Sequence, residues 1–300
     1  MRRILLVALL VSLPGCSIRK SAYRTIGQAL SGVADEMSRD NDPETVKGAI
    51  PFSLKALETI LREDPKNASI LLSLTKGYPQ YAYGFVLQDA EMAEERDRAA
   101  AKEQRDRAVK LFLKGRDYGL RWFELKYPNF TADLKGNPKK AAQKVQKADL
   151  PAAYWTAVSW AAALATSRDF GMLPQIPQFE ALLDRSLEVD ETYDSGALHA
   201  FFITYEMARL NAKSDRAARA QQHYNRALQL AAGKQAGPHV SYAESVLQPA
   251  KNRAEFDRVL REALKVDINA DPESRLLNVI MQKRARWLLS RLDKLFPPAK

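Results

Sequence analysis

Apolar residues along this chain recur at helical intervals, and no convincing stretch alternates in the two-residue rhythm of a strand. Ile26, Leu30, Val33 and Met37 form one helical stripe. Asp42-Pro43 predicts a helix start, a capping carboxylate followed by a residue whose missing N–H is harmless in the first turn. Pro51 is expected to break the next stretch, after which Leu54, Leu57, Ile60 and Leu61 carry an apolar face that ends at Asp64-Pro65. Asn67 is placed to cap the following helix, with Ile70, Leu71 and Leu74 facing inward. Residues 91–107 are charged almost throughout with mixed sign, which predicts an exposed helix laced with local ion pairs. The pattern then turns amphipathic through Val109, Phe112, Leu113, Leu120 and Phe123 and stops at Tyr127-Pro128. Residues 129–150 are polar, Lys-rich and broken by Gly and Pro, which predicts a surface excursion with a short helix.

Residues 151–166 differ in kind. They carry no charge, many alanines, Trp155 and Trp160, so the helix they predict is apolar on nearly every side and belongs in a core. It is too short to span a bilayer, and its small residues let neighbouring helices come close. Further helices are predicted at 178–189, 195–210, 215–231, 239–247 and 254–266, with a long last one at 272–296 opened by Asp271-Pro272. A motif of Leu, Leu four residues on and Asp three further on occurs at Leu57/Leu61/Asp64, Leu183/Leu187/Asp190 and Leu260/Leu264/Asp267, with a looser copy at Tyr224/Leu228. Leu187, Leu228 and Leu264 lie 41 and 36 residues apart, near the length of one helix-turn-helix repeat. The expected fold is all-α, with helical hairpins stacked as degenerate tetratricopeptide-like repeats in one compact domain, each pair burying its face on the next.

The first residues follow another logic. Arg2 and Arg3 precede an apolar run from Ile4 to Val11, far shorter than a spanning helix, and Leu13-Pro14-Gly15-Cys16 follows. This ending resembles the bacterial lipobox, with Pro14 standing where a small residue is usual. Residues 1–15 are therefore expected to be a lipoprotein signal peptide, 16–21 a lipid anchor and short tether, and 22–300 the helical domain. Cys16 is the lipidation site and the chain's one cysteine, so the mature domain has no disulfide to draw on and stands on core burial. Ser17 lies where an Asp would suggest inner-membrane retention, which by resemblance to Gram-negative lipoproteins points to the outer membrane and a domain facing the periplasm.

The formal charge of +10 falls to +8 once Arg2 and Arg3 are removed. Lys and Arg are interleaved with Asp and Glu, which argues against nucleic acid. Lys135, Lys139, Lys140, Lys144 and Lys147 read as a solvated surface. There is no phosphate-binding loop, no Gly-x-Ser-x-Gly and no His-Glu-x-x-His, and His199, His223 and His239 lack partners at metal-ligand spacing. No enzyme and no cofactor is expected. A hidden hydrolase would need a nucleophile hydrogen-bonded to one of those histidines. Asn67-Ala68-Ser69 and Asn129-Phe130-Thr131 match the glycosylation sequon by accident. The suggestive feature is aromatic. Tyr78, Tyr81 and Tyr83 sit between Gly77 and Gly84 around Pro79, which is expected to interrupt the helix, while Trp155, Trp160, His199, Phe202 and Tyr205 lie on helices that pack inside. Aromatics with polar handles suit a pocket for an organic ligand, with Tyr78, Tyr81, Tyr83, Trp155, Trp160, His199 and Tyr205 as candidate contacts. A plain aromatic core is the alternative.

Arg116-Asp117-Tyr118-Gly119-Leu120-Arg121, Tyr154-Trp155-Thr156-Ala157, Gly196-Ala197-Leu198-His199 and His223-Tyr224-Asn225-Arg226-Ala227-Leu228 resemble stretches of the TatT family, a tetratricopeptide-like lipoprotein associated with TRAP-type transporters. Tyr242-Ala243-Glu244-Ser245-Val246 and Gln282-Lys283-Arg284-Ala285-Arg286-Trp287-Leu288-Leu289 extend the likeness over nearly the whole chain. The resemblance implies a helical fold of cryptic repeats and a homotrimer whose protomers carry a ligand-sized channel or cleft. It also implies a periplasmic TRAP-type substrate-binding protein as partner, which hands small organic acids or apolar ligands to a permease. The expected function is binding or passing on a small organic ligand together with that protein. The alternative is a repeat scaffold for envelope assembly, with a shallow groove and no internal pocket.

Overall fold

A computed structural model describes residues 36–167, 169–210 and 215–298, together with the single positions 25 and 32. Cys16, the leader and all but Met37 of the first predicted stripe lie outside the described residues. These are 81% helical, with fourteen α-helices and no strand.

Helix α1 (Pro43–Glu63) starts where the cap predicts, Asp42 Oδ1 accepting from the Glu44 and Thr45 N–H groups. It does not break at Pro51 but runs through it. A mid-helix proline costs roughly 3 kcal/mol. Val46, Leu54, Leu57, Ile60 and Leu61 are buried on both sides of it, at roughly 1.5–3 kcal/mol each, and outweigh that cost. Helix α2 (Ala68–Tyr81) is capped by Asn67 Oδ1 at 3.1 Å from the Ile70 N–H and continues through Pro79 rather than stopping there. It passes into a π-helical segment, Ala82–Leu87, and then into α3 (Gln88–Ala93).

The charged stretch is two helices, not one. Asp97 accepts from the Ala100 N–H at 2.9 Å and opens the long α4 (Arg98–Lys126), which ends at Tyr127 as predicted. Residues 129–150 are more than a surface excursion. Helices α5 (Phe130–Gly136) and α6 (Pro138–Ala142) bury Phe130, Leu134, Ala141 and Ala142, and Val145, Asp149 and Leu150 are buried too. Asp149 receives Tyr127 Oη at 2.6 Å and the Lys126 ammonium, which pins the excursion to the end of α4. The apolar stretch forms α7 (Leu150–Ser167), buried as predicted.

Then follow α8 (Ile176–Val189), α9 (Tyr193–Ala208), α10 (Arg216–Leu230) and α11 (Gly237–Tyr242), the last continuing into a second π-helical segment, Ala243–Leu247. Helix α12 (Arg253–Lys265) comes next. The long helix predicted at 272–296 is three pieces, a 3-10 turn at Pro272–Ser274, then α13 (Arg275–Leu289) and α14 (Leu292–Leu295). Each Leu/Leu/Asp motif closes a helix, α1, α8 and α12 in turn, with Asp64 and Asp190 as the C-terminal caps.

Helices α2, α7 and α4 meet without side chains between them. A Cβ on Gly119 would lie 1.9 Å from Thr156 Oγ1, and one on Gly115 would lie 2.8 Å from both Pro79 Cδ and Ser159 Oγ. The buried hydroxyls of Thr75 and Thr156 fold back on the carbonyls of Leu71 and Ala152 at 2.7 and 2.6 Å, so the close approach leaves them paired.

Six helices form an inner circuit: α1 packs on α2, α2 on α7, α7 on α9, α9 on α11, α11 on α13, and α13 returns to α1. Outer helices back them, α4 behind α2 and α7, α8 behind α7, α10 behind α9, and α12 behind α11 and α13. Charged pairs seal the return. Lys283 reaches Glu44 at 3.0 Å, Arg284 reaches Glu91 at 2.5 Å, Arg39 Nε reaches Glu273 at 2.7 Å, and Arg291 and Lys294 both hold Glu95.

Candidate functional site

Five of the seven candidate ligand contacts occupy separate places. Tyr78 stacks on Tyr118 with ring centroids 5.9 Å apart and donates its hydroxyl to Glu58, which also takes Lys114 Nζ at 2.7 Å. Glu58 and Tyr118, with Leu61, Arg62, Pro65 and Arg121, line a groove of about 390 Å³. Tyr81 is buried beside Phe85, and Arg107 Nη2 donates to its hydroxyl at 3.3 Å. Trp160 Nε1 donates to Gln175 at 2.8 Å beneath the Arg116 guanidinium. Tyr205 donates to Glu180 at 2.7 Å. His199 Nδ1 lies 2.9 Å from His223 Nδ1, and its Nε2 lies 3.2 Å from Glu191. Burial pushes both imidazoles down, His223 to about 4, so one neutral ring donates to the other. His239 meets Tyr224 Oη at 2.8 Å, and among the described residues no serine or threonine hydroxyl bonds to any of the three histidines. Nor do three His, Cys, Asp or Glu side chains there come together to hold a metal.

Tyr83 and Trp155 belong to a different neighbourhood, inside the circuit. Tyr83 is 46% exposed, yet burial pushes its phenol up to about 12, with Glu244 and Glu91 adding to the shift and Arg284 opposing it. Its neighbours come from the whole chain. Glu91 is on α3, Glu244 on the second π segment and Arg284 on α13. Tyr154, on α7, feels Tyr83, Asp194 and Tyr193 from the other side. Trp155 stands edge-on to Tyr154, and Tyr193 lies 5.6 Å from the Tyr154 ring.

Local structure delivers these side chains. Each π segment inserts extra backbone into its helix and turns the following residues about the axis. Tyr81-Ala82-Tyr83-Gly84 and Tyr242-Ala243-Glu244-Ser245 echo one another: the first Tyr and the Ala are buried in both, and the third residue faces the interior cluster. Asp194, Ser195 and Gly196 have φ of 48°, 54° and 89°, a left-handed turn at the head of α9 that only the glycine adopts without strain. Burial pushes the Asp194 carboxyl up, with Lys76 opposing. Glu244 is pushed up the same way despite Arg284. Sequence reasoning missed Glu91, Tyr154, Tyr193, Asp194, Glu244 and Arg284 as site residues. The echoed Tyr-Ala pair was the signal that could have found two of the interior positions.

The TRAP transporter T-component family model matches residues 39–296, which spans every element of the circuit. The chain belongs to the TRAP transporter T-component family. The match covers both π segments and the closing helix α13, so the whole interior cluster lies within the T component. A protein of Treponema pallidum (strain Nichols), named only as an uncharacterized protein, is 26% identical over 301 residues, covering 94% of this chain and 93% of its own. T components accompany TRAP transporters, and none of the described helices is long and apolar enough to cross a membrane.

Proposed function

We propose that the protein is a periplasm-facing lipoprotein, anchored through Cys16 to the outer membrane, that binds or passes on a small organic ligand together with a TRAP-type substrate-binding protein. Membership of the T-component family supports the association with TRAP transport. The observation that carries the ligand part is the cluster of Glu91, Glu244 and Arg284 from three distant segments, with the half-exposed Tyr83 among their neighbours, which we read as one wall of a concave interior site. Binding and hand-over need such a concave wall and no nucleophile. The scaffold alternative calls for a shallow groove and no interior site, which fits Tyr83 less well. Association into trimers is part of the proposal.

Native mass spectrometry of the full chain released from detergent, alone and with a candidate TRAP-type substrate-binding protein, tests this reading. A lipid-bearing trimer that takes up the binding protein is the expected result. A monomer that ignores the binding protein would sink it. Cys16→Ser is expected to move the protein from the membrane to the soluble fraction, and an unchanged distribution would remove the anchor.

A further inference from the structure

The interior cluster has an unbalanced charge. Arg284 Nη2 lies 2.5 Å from both Glu91 Oε2 and Glu244 Oε1, so two carboxylates share one guanidinium. The Arg284 guanidinium is 9% exposed and stacks over Trp287 at 4.5 Å. Its Nη1 is buried without a hydrogen-bond partner, an unmet donor inside the site. Tyr83 Oη has no hydrogen-bond partner among the described residues, and the residue is 46% exposed. Asp194, towards Tyr154 and Tyr193, adds a further carboxylate that forms no ion pair among the described residues. Lys76 acts on Asp194 from a distance, and Asp271 adds to the negative side.

We propose that Tyr83, Glu91 and Glu244, around the guanidinium of Arg284, form a binding site for a small organic amine that also carries an acceptor oxygen. The ammonium supplies the missing positive charge between the carboxylates and lies against the Tyr83 ring, where the quadrupole attracts a cation. The acceptor oxygen meets Arg284 Nη1 after a small shift of the guanidinium. An anionic ligand would add a third negative charge to a poorly solvated place and is disfavoured. The basic balance of the whole chain, +10, is thus reversed on this wall. The proposal rests on the reading of the protein as a ligand-handling T component, and it departs from the organic acids or apolar ligands that the family resemblance implies.

The test is isothermal calorimetry on the full chain in detergent with three probes of matched shape: phenylalaninol, 3-phenylpropanol and 3-phenylpropionate. Phenylalaninol is expected to bind about tenfold or more tighter than the neutral alcohol, with the carboxylate weakest. Glu244→Gln and Tyr83→Leu are each expected to weaken phenylalaninol, the first by about tenfold, while 3-phenylpropanol, which carries no charge for the carboxylate to meet, is expected to bind Glu244→Gln within about twofold of the wild type and so reports that the site is still formed. Tightest binding by 3-phenylpropionate, or an amine affinity unmoved by Glu244→Gln, would overturn the proposal. Capture of the TRAP-type binding protein is measured on the same samples. Capture without amine binding fails the ligand class alone, and amine binding without capture fails the transport partnership and leaves the site standing.

Discussion

Glu58 is the most heavily bonded carboxylate at the outer groove. Burial alone would push it up, but hydrogen bonds from Lys114, Lys55, Tyr78 and Tyr118 hold it at about 2. A depressed carboxyl contributes stability that is complete above its ordinary value of 4.5 and is lost as pH falls through about 2. Denaturant titrations between those pH values are expected to show a steeper loss for the wild type than for Glu58→Gln, and equal slopes would remove Glu58 as the source. The half-buried His223 and the buried His239, both near 4, act in a neighbouring window: their depressed values favour the folded state above pH 6.5 and withdraw that support as pH falls toward 4. Gly119 gives the sharpest residue-scale prediction. Because a methyl there would meet Thr156 Oγ1, Gly119→Ala is expected to cost about 3 kcal/mol, read as a lower melting temperature, whereas Gly48→Ala, with open space around it, should not. At this scale the sequence was only partly legible. Aromatic content pointed to Tyr83 and Trp155, but equally to Trp160 and Tyr205, which serve packing and pairing with Gln175 and Glu180. Composition cannot tell an uncovered tyrosine from a covered one, because the difference lies in which helix stands opposite.

Helix starts were the readable part of the elements. Asp42-Pro43 and Asn67 opened helices as predicted, because caps act through one or two neighbouring N–H groups and need nothing from the rest of the chain. The prolines misled for the complementary reason. A local rule broke α1 at Pro51, while burial on both sides, which local reading cannot weigh, carried it through. Pro51→Ala should therefore stabilise the protein by about 2 kcal/mol, since the missing hydrogen bond to the preceding turn is restored at little other change. A midpoint of denaturation that stays put or falls would show that the proline is strain-free where it stands. Beyond the echoed Tyr-Ala pair the π segments left little local trace, because their extra residue is held by packing: Phe85 and Val86 are buried in one, Val246 and Leu247 in the other.

The closed circuit belongs to the whole molecule. Hairpin stacking was foreseen, yet closure was not, since it depends on charges that are some two hundred residues apart, such as Arg291 with Glu95. Removing Arg284 should expose how much the seam depends on it. Arg284→Ala leaves Glu91 and Glu244 facing each other with no cation, at a cost of about 3 kcal/mol. Hydrogen exchange should then speed up in α3 and α13 together, and protection unchanged in either helix would contradict a seam held at that point.

An open stack of helical hairpins frays from its ends, because a terminal hairpin has one neighbour and needs a polar cap. Here α13 rests against α1, so the first and last hairpins guard each other and neither is terminal in that sense. Unfolding should therefore be one event rather than a peeling. A chain that stopped before Arg275 would not merely be one hairpin shorter: it would leave apolar faces bare at both ends of the stack.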